Sequence, residues 1–133
     1  MPSRSRAFIE AVIVLLGGVM CSCATARTGP QAWIDTPLDN TTAPMGPLTI
    51  IAHASHTGGV ASIEFTVDGT AYQAVAAGGR RLEWREVEWT PPGPGTYQIG
   101  ARGLGADGAA GTLTTARVTI SGDETLRYHC LDR

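Results

Sequence analysis

Val60-Ala61-Ser62-Ile63-Glu64-Phe65-Thr66-Val67-Asp68-Gly69-Thr70-Ala71-Tyr72-Gln73-Ala74-Val75 decides the fold of this chain. Ile63, Phe65 and Val67 fall on one side of an extended backbone and Ser62, Glu64 and Thr66 on the other, the period of two that a half-buried strand uses. Asp68-Gly69 interrupts the alternation with two residues for which the positive φ angles of a type I′ turn cost little. A hairpin is predicted, its two arms being Val60–Val67 and Thr70–Val75.

Toward the N-terminus, Leu48, Ile50, Ala52 and Ala54 point one way and Thr49, Ile51, His53 and Ser55 the other, and Trp33-Ile34 opens a strand that ends at Pro37. Toward the C-terminus, Gly78-Gly79 breaks the chain before a strand over Leu82–Thr90. Trp84 and Trp89 are five apart, so a regular strand sends them to opposite faces. With Val87 and Trp89 inward, Trp84 is either exposed or returned to the core by a bulge near Arg85. Pro91-Pro92-Gly93-Pro94-Gly95 cannot join a ladder and suits a stiff crossing between sheets. Tyr97, Ile99 and Ala101 then alternate, and past Asp107-Gly108 a last strand runs over Leu113–Ile120 with Ala116, Val118 and Ile120 inward. The expectation is an all-β sandwich of seven strands in two sheets. No window after residue 30 sustains two uninterrupted turns of helix, which excludes a helical bundle.

Composition agrees with this reading. Of the 133 residues 43% are hydrophobic and 17% charged, enough apolar surface for a core and too much for a disordered polymer. All ten basic residues are Arg, set against twelve acids for a net charge of −2, so no basic field awaits a phosphate backbone and no nucleic-acid partner is expected. Arg4 and Arg6 precede an apolar run from Ala7 to Met20, interrupted by Glu10, and small residues follow, the three-part grammar of a secretory signal. The run is too short for a membrane span and carries a carboxylate. Residues 1–22 are therefore read as a signal peptide, 23–30 as a polar linker, 31–121 as the sandwich and 122–133 as a tail.

Met20-Cys21-Ser22-Cys23 resembles the bacterial lipobox, and the resemblance implies that Cys23 becomes a lipidated N-terminus at the membrane surface. Cleavage after Ala24-Thr25-Ala26 is the other reading and gives a freely secreted protein. With Cys21 removed and Cys23 acylated or near the cut, Cys130 is left without a partner, so no intramolecular disulfide is expected.

The segment Ile34–Ile120 resembles the bacterial Ig-like domain of surface and secreted proteins. The matching residues are Ile34-Asp35-Thr36-Pro37, Gly46-Pro47-Leu48-Thr49-Ile50, Gly59 to Phe65 followed by Val67-Asp68-Gly69, Trp89-Thr90-Pro91, Gly95-Thr96-Tyr97 and Asp107-Gly108. The resemblance implies an immunoglobulin-like sandwich in which Tyr97 makes a tyrosine corner, Phe65 is the core aromatic of its strand and Trp89 packs from the opposite sheet. The inter-sheet disulfide of antibody domains is missing, and His56-Thr57 stands where bacterial relatives often carry Asp.

No constellation for catalysis emerges. His53 and His56, three apart, would make a metal pair, but solvated His at a sandwich tip is the commoner case. His129, Cys130 and Asp132 sit in a polar tail without an oriented third group. Glu83, Glu86 and Glu88 interleave with Arg81 and Arg85 and read as solvated cross-strand pairs. Asp35, Asp39 and Asp107 meet the hard-oxygen requirement for calcium only if one end of the fold gathers them; otherwise they cap their own turns, and no cofactor is expected. Trp84, His53 and His56 are the candidate binding residues. The predicted function is a non-catalytic, tethered or secreted module for surface structure, spacing or protein binding, with an envelope protein or polysaccharide as partner. The alternative is a carbohydrate-binding accessory domain with Trp84 or Trp33 as its platform.

Overall fold

In a computed structural model, residues 29–122 are described. The proposed signal, Cys23, the linker up to residue 28 and the tail from residue 123 lie outside them, as do all three cysteines, so the described sandwich holds no disulfide. The strands are β1 Gln31–Thr36, β2 Thr41–Pro44, β3 Leu48–Ser55, β4 Val60–Val67, β5 Thr70–Ala76, β6 Leu82–Trp89, β7 Gly95–Gly105 and β8 Thr114–Ser121. They form a three-stranded sheet in the order β1-β3-β6 and a five-stranded sheet in the order β2-β8-β7-β4-β5.

The described residues form eight strands rather than the expected seven, because the chain changes sheets early. After the cis Thr36–Pro37 peptide it leaves the three-stranded sheet, and β2 pairs in parallel with β8 on the other. Four residues ending in Pro44 carry too little alternation to read as a strand from sequence. The crossing is fastened by backbone geometry: Asn40 takes a φ of 61° and donates its N–H to the Arg117 carbonyl (2.8 Å), while the Asp39 carboxylate accepts the Arg117 N–H (2.8 Å). Asn and Asp tolerate that left-handed geometry better than other residues with a Cβ.

The period-two alternation of β3, β4, β7 and β8 becomes the interior. Ile50, Ala52 and Ala54 face Ile63, Phe65, Ile99, Ala101, Val118 and Ile120 across the sandwich, nearly all of them fully buried. Burying one such large side chain is worth about 1.5–3 kcal/mol, so these positions carry the stability of a fold with no crosslink among its described residues. The interior also tapers. Side chains shrink from Ile50 through Ala52 to Ala54 along β3, and from Ile99 through Ala101 to Gly103 along β7, in the same direction. At the narrow end a Cβ on Gly103 would collide with Pro30 and Ala54, so buried Pro30 closes that pole.

Asp68 (φ 50°) and Gly69 (φ 78°) make the two-residue turn between β4 and β5. The Asp68 carboxylate accepts the Gln98 N–H (2.8 Å) and its own N–H donates to the Gln98 carbonyl (2.8 Å), which carries the β4–β7 ladder past the end of the strand. Tyr97 donates its hydroxyl to the Gly93 carbonyl (2.7 Å) and meets Trp89 edge to face at 4.9 Å, so the proline-rich crossing is held to β7 from within the core.

Candidate functional site

The three-stranded sheet has two chemically different faces. Its inner face carries Ile50, Ala52, Val87 and Trp89 into the core. On the outer face the register aligns Trp33 of β1 with His53 of β3, and His53 with Trp84 of β6, so that three aromatic rings form one row across the sheet. Trp33 is 41% exposed and Trp84 52%. The β3–β6 register runs without a shift from Leu48 to Ser55, so no bulge returns Trp84 to the core.

The row is braced at its centre. The Trp33 and His53 rings are parallel to within 2° with centroids 5.3 Å apart, an offset stack of indole on imidazole. His53 Nδ1 pairs with the Asp35 carboxylate, whose side chain shares this outer face two residues along β1. The imidazole is thus held from two sides, by a ring and by a carboxylate.

Other polar residues do structural work. His56 lies in the loop after β3, and its Nε2 meets the Asp107 carboxylate at 3.1 Å, binding that loop to the one between β7 and β8. The His56 hydrogen bond, together with the Ala109 N–H, holds the Asp107 carboxyl below its ordinary value against the opposing effect of burial. His53 and His56 therefore serve different carboxylates and do not form a metal pair. Nor do the three aspartates meet: Asp35 serves His53, Asp39 caps Arg117, and Asp107 serves His56 and Ala109. Among the described residues no group of three or more His, Cys, Asp or Glu is placed to hold a metal ion.

The acidic patch read from β6 is split by the strand. Glu86 and Glu88 are exposed, whereas Glu83 is 4% exposed and turned inward, which corrects its reading as a solvated group. Its carboxylate accepts the N–H groups of Gly78 (2.9 Å) and Arg80 (3.2 Å) and the Arg85 guanidinium (3.2 Å). The Arg80 N–H bond chiefly lowers its carboxyl below the ordinary 4.5; burial opposes this, and the Arg80 and Arg85 charges and the Gly78 N–H reinforce it. Arg85 also donates to the Ala76 carbonyl (2.8 Å), and the Tyr72 hydroxyl donates to the Glu88 carbonyl (2.7 Å). A bulge at Tyr72, between the pairs Phe65–Gln73 and Thr66–Ala71, re-aims that ring. Side chains thus join β5 and β6, edge strands of different sheets, along the side of the sandwich.

Parity puts Glu83 on the inner face, since residues 83, 85, 87 and 89 share one face of a regular strand, and its three donors hold the carboxylate there. Sequence reasoning missed the stacking of His53 on Trp33 and its bond to Asp35, because both depend on the register between β1 and β3.

Two sheets of three and five antiparallel-rich strands, joined by a tyrosine corner around a crosslink-free core, define an immunoglobulin-like sandwich. The chain belongs to the bacterial Ig domain family, whose profile matches residues 30–101. Among solved structures it is similar to a fibronectin(III)-like module of CbhA from Clostridium thermocellum, with 20% identity and a TM-score of 0.57 over 71% of this chain and 100% of that one. It is also similar to the CARDB domain of a Pyrococcus furiosus protein, with 16% identity and a TM-score of 0.54 over 72% of this chain and 99% of that one. A third likeness, at 8% identity and a TM-score of 0.52, is to 20% of an endo-β-1,4-mannanase from Thermotoga petrophila, over 71% of this chain. No curated protein matches the chain. At such identities these likenesses show the fold and nothing further.

Proposed function

We propose that the protein is an exported, non-catalytic spacer and docking module of the cell envelope, tethered through lipid on Cys23. The observation that carries this is the position of its two ends. β1 begins at the pole where β3 and β7 finish, and β8 finishes at the opposite pole, beside the start of β7. A sandwich joined to neighbours through Gln31 and Ser121 therefore adds a full strand length, about 26 Å for eight residues, to whatever it connects. Within the sandwich Glu83 is spent on the β5–β6 turn, His56 and Asp107 on the narrow pole, and Asp35 on His53. The sequence Arg4 to Cys23 supplies the address and the attachment point.

Intact mass of the protein purified from the membranes of its own host, together with protease treatment of whole cells, tests the proposal. The expected species begins at Cys23, carries a diacylglycerol adduct and is cleaved from outside. An unmodified chain beginning at Met1 and recovered from the cytosol overturns it.

A further inference from the structure

The outer face of the three-stranded sheet carries two half-exposed indoles, and the function proposed above uses neither. Trp33 and Trp84 sit on the two edge strands with β3 between them, so their backbone positions are two strand spacings apart, about 9.6 Å. Sugar rings in an extended β-1,4-linked chain that present the same face recur once per disaccharide, at close to this interval. Indoles stack on the apolar face of a pyranose because they offer a large rigid surface at little entropy cost. The stack on His53 and its bond to Asp35 fix the Trp33 side of the row before a ligand arrives, so little ordering remains at binding.

Chemistry around the row selects among occupants. Gln31 and Glu86 are exposed beside it and Asp35 is partly so, supplying acceptors and an amide for hydroxyl groups. Among the described residues no Arg of these three strands projects from this face: Arg85, the single Arg within them, faces the β5–β6 side and is engaged with Ala76 and Glu83. A polyanion is thereby repelled, and a neutral chain is not. A protein partner needs about 800 Å² on each side of a standard interface. Here the exposed apolar residues are Trp33, Trp84 and Leu82, a narrow strip bordered by Glu86 and Glu88. The geometry points to a binding site for a neutral β-1,4-linked polysaccharide on the Trp33–His53–Trp84 row. This inference does not depend on lipidation or on the spacing role, and its test does not read them.

The full chain is titrated with β-1,4-linked hexamers of glucose, mannose and N-acetylglucosamine, with the α-1,4-linked glucose hexamer, and with polygalacturonate, following Trp fluorescence and heat. A saturable response to at least one β-linked hexamer, and none of comparable strength to the α-linked hexamer or the polyanion, is expected. Trp84→Ala is expected to weaken binding about tenfold with an unchanged melting curve, Trp84→Phe to restore part of the loss, and Trp33→Ala to weaken binding to a similar degree. Tyr72→Phe, on the five-stranded sheet, should bind as the parent does. Silence toward all three β-linked hexamers at millimolar concentration overturns the inference. So does equal binding of the α-linked hexamer, stronger binding of polygalacturonate, or an affinity indifferent to Trp84→Ala in a folded variant.

Discussion

Trp84 and Trp89 stand five residues apart on β6, and the two faces of that strand put the same side chain to opposite uses. Trp89 is 5% exposed, packed edge to face on Tyr97 and sealed between sheets; Trp84 is 52% exposed and stacks on no other ring among the described residues. The inner face derives its energy from area removed from water, the outer face from nothing that folding requires. A lone exposed apolar residue is ordinary on a protein surface; what sets Trp84 apart is its alignment with His53 and the exposed Trp33 in one row.

The largest effect should come from breaking the inner face. Trp89→Ala removes the indole and leaves a cavity beside Tyr97 and Val87, and substitutions of this kind cost about 3–5 kcal/mol. That is a large fraction of the stability of a single domain. Urea denaturation of this variant should show a midpoint near zero or no cooperative transition. A well-folded variant would mean that Phe65 and its aliphatic neighbours suffice alone.

A smaller loss is expected at Glu83, where the inner face meets the seam between the sheets. Glu83→Gln keeps the shape but weakens the bonds to Gly78, Arg80 and Arg85, so the variant should melt between Trp89→Ala and the parent. Its pH dependence has a definite sign. The Glu83 carboxyl is held below 4.5 in the folded protein, so near that pH the unfolded chain binds more protons. The stabilisation is complete above 4.5 and is lost as pH falls through the folded value. Denaturation midpoints of parent and variant should differ at pH 7 and converge below pH 4.5. A gap that stays constant down to pH 3 would assign the loss to packing rather than charge.

Tyr97→Phe deletes one hydroxyl and leaves the Gly93 carbonyl without its donor. A net hydrogen bond is worth about 0.5–1.5 kcal/mol, which corresponds to a lowering of the melting temperature by several degrees. Calorimetry would register this while the edge-to-face contact with Trp89 remains.

Much of the inner face is legible from sequence, because burial there depends on parity within single strands. Ile63, Phe65 and Val67 declare themselves by alternation, Asp68-Gly69 by turn chemistry, and Tyr97 by its alternation with Ile99 and Ala101. The misreadings have physical causes. β2 is four residues long and pairs in parallel with a strand some 75 positions later, so no local period marks it. Glu83 shares the parity of Val87 and Trp89, but a carboxylate in a charged run reads as solvated unless its three donors are known. The outer row is harder still: Trp33, His53 and Trp84 become neighbours only through two separate strand registers, and neither is encoded within any one of the segments. Single exposed residues can be guessed from parity, but their alignment cannot.

The smallest effect on stability should come from Trp84→Ala, and its smallness is the sharpest form of the contrast. The substitution is chemically identical to Trp89→Ala and lies on the same strand, so β propensity and the unfolded chain change in nearly the same way in both. What differs is the face. A half-exposed ring whose neighbours are His53, Glu86 and Leu82 returns little area to water when removed, and no cavity forms because solvent fills the space. Surface substitutions away from caps and buried networks stay within about 0.5 kcal/mol. Paired urea titrations of the two alanine variants would show it directly: a shift for Trp84→Ala approaching that of Trp89→Ala would place the indole among the structural residues of the sandwich rather than in a binding row.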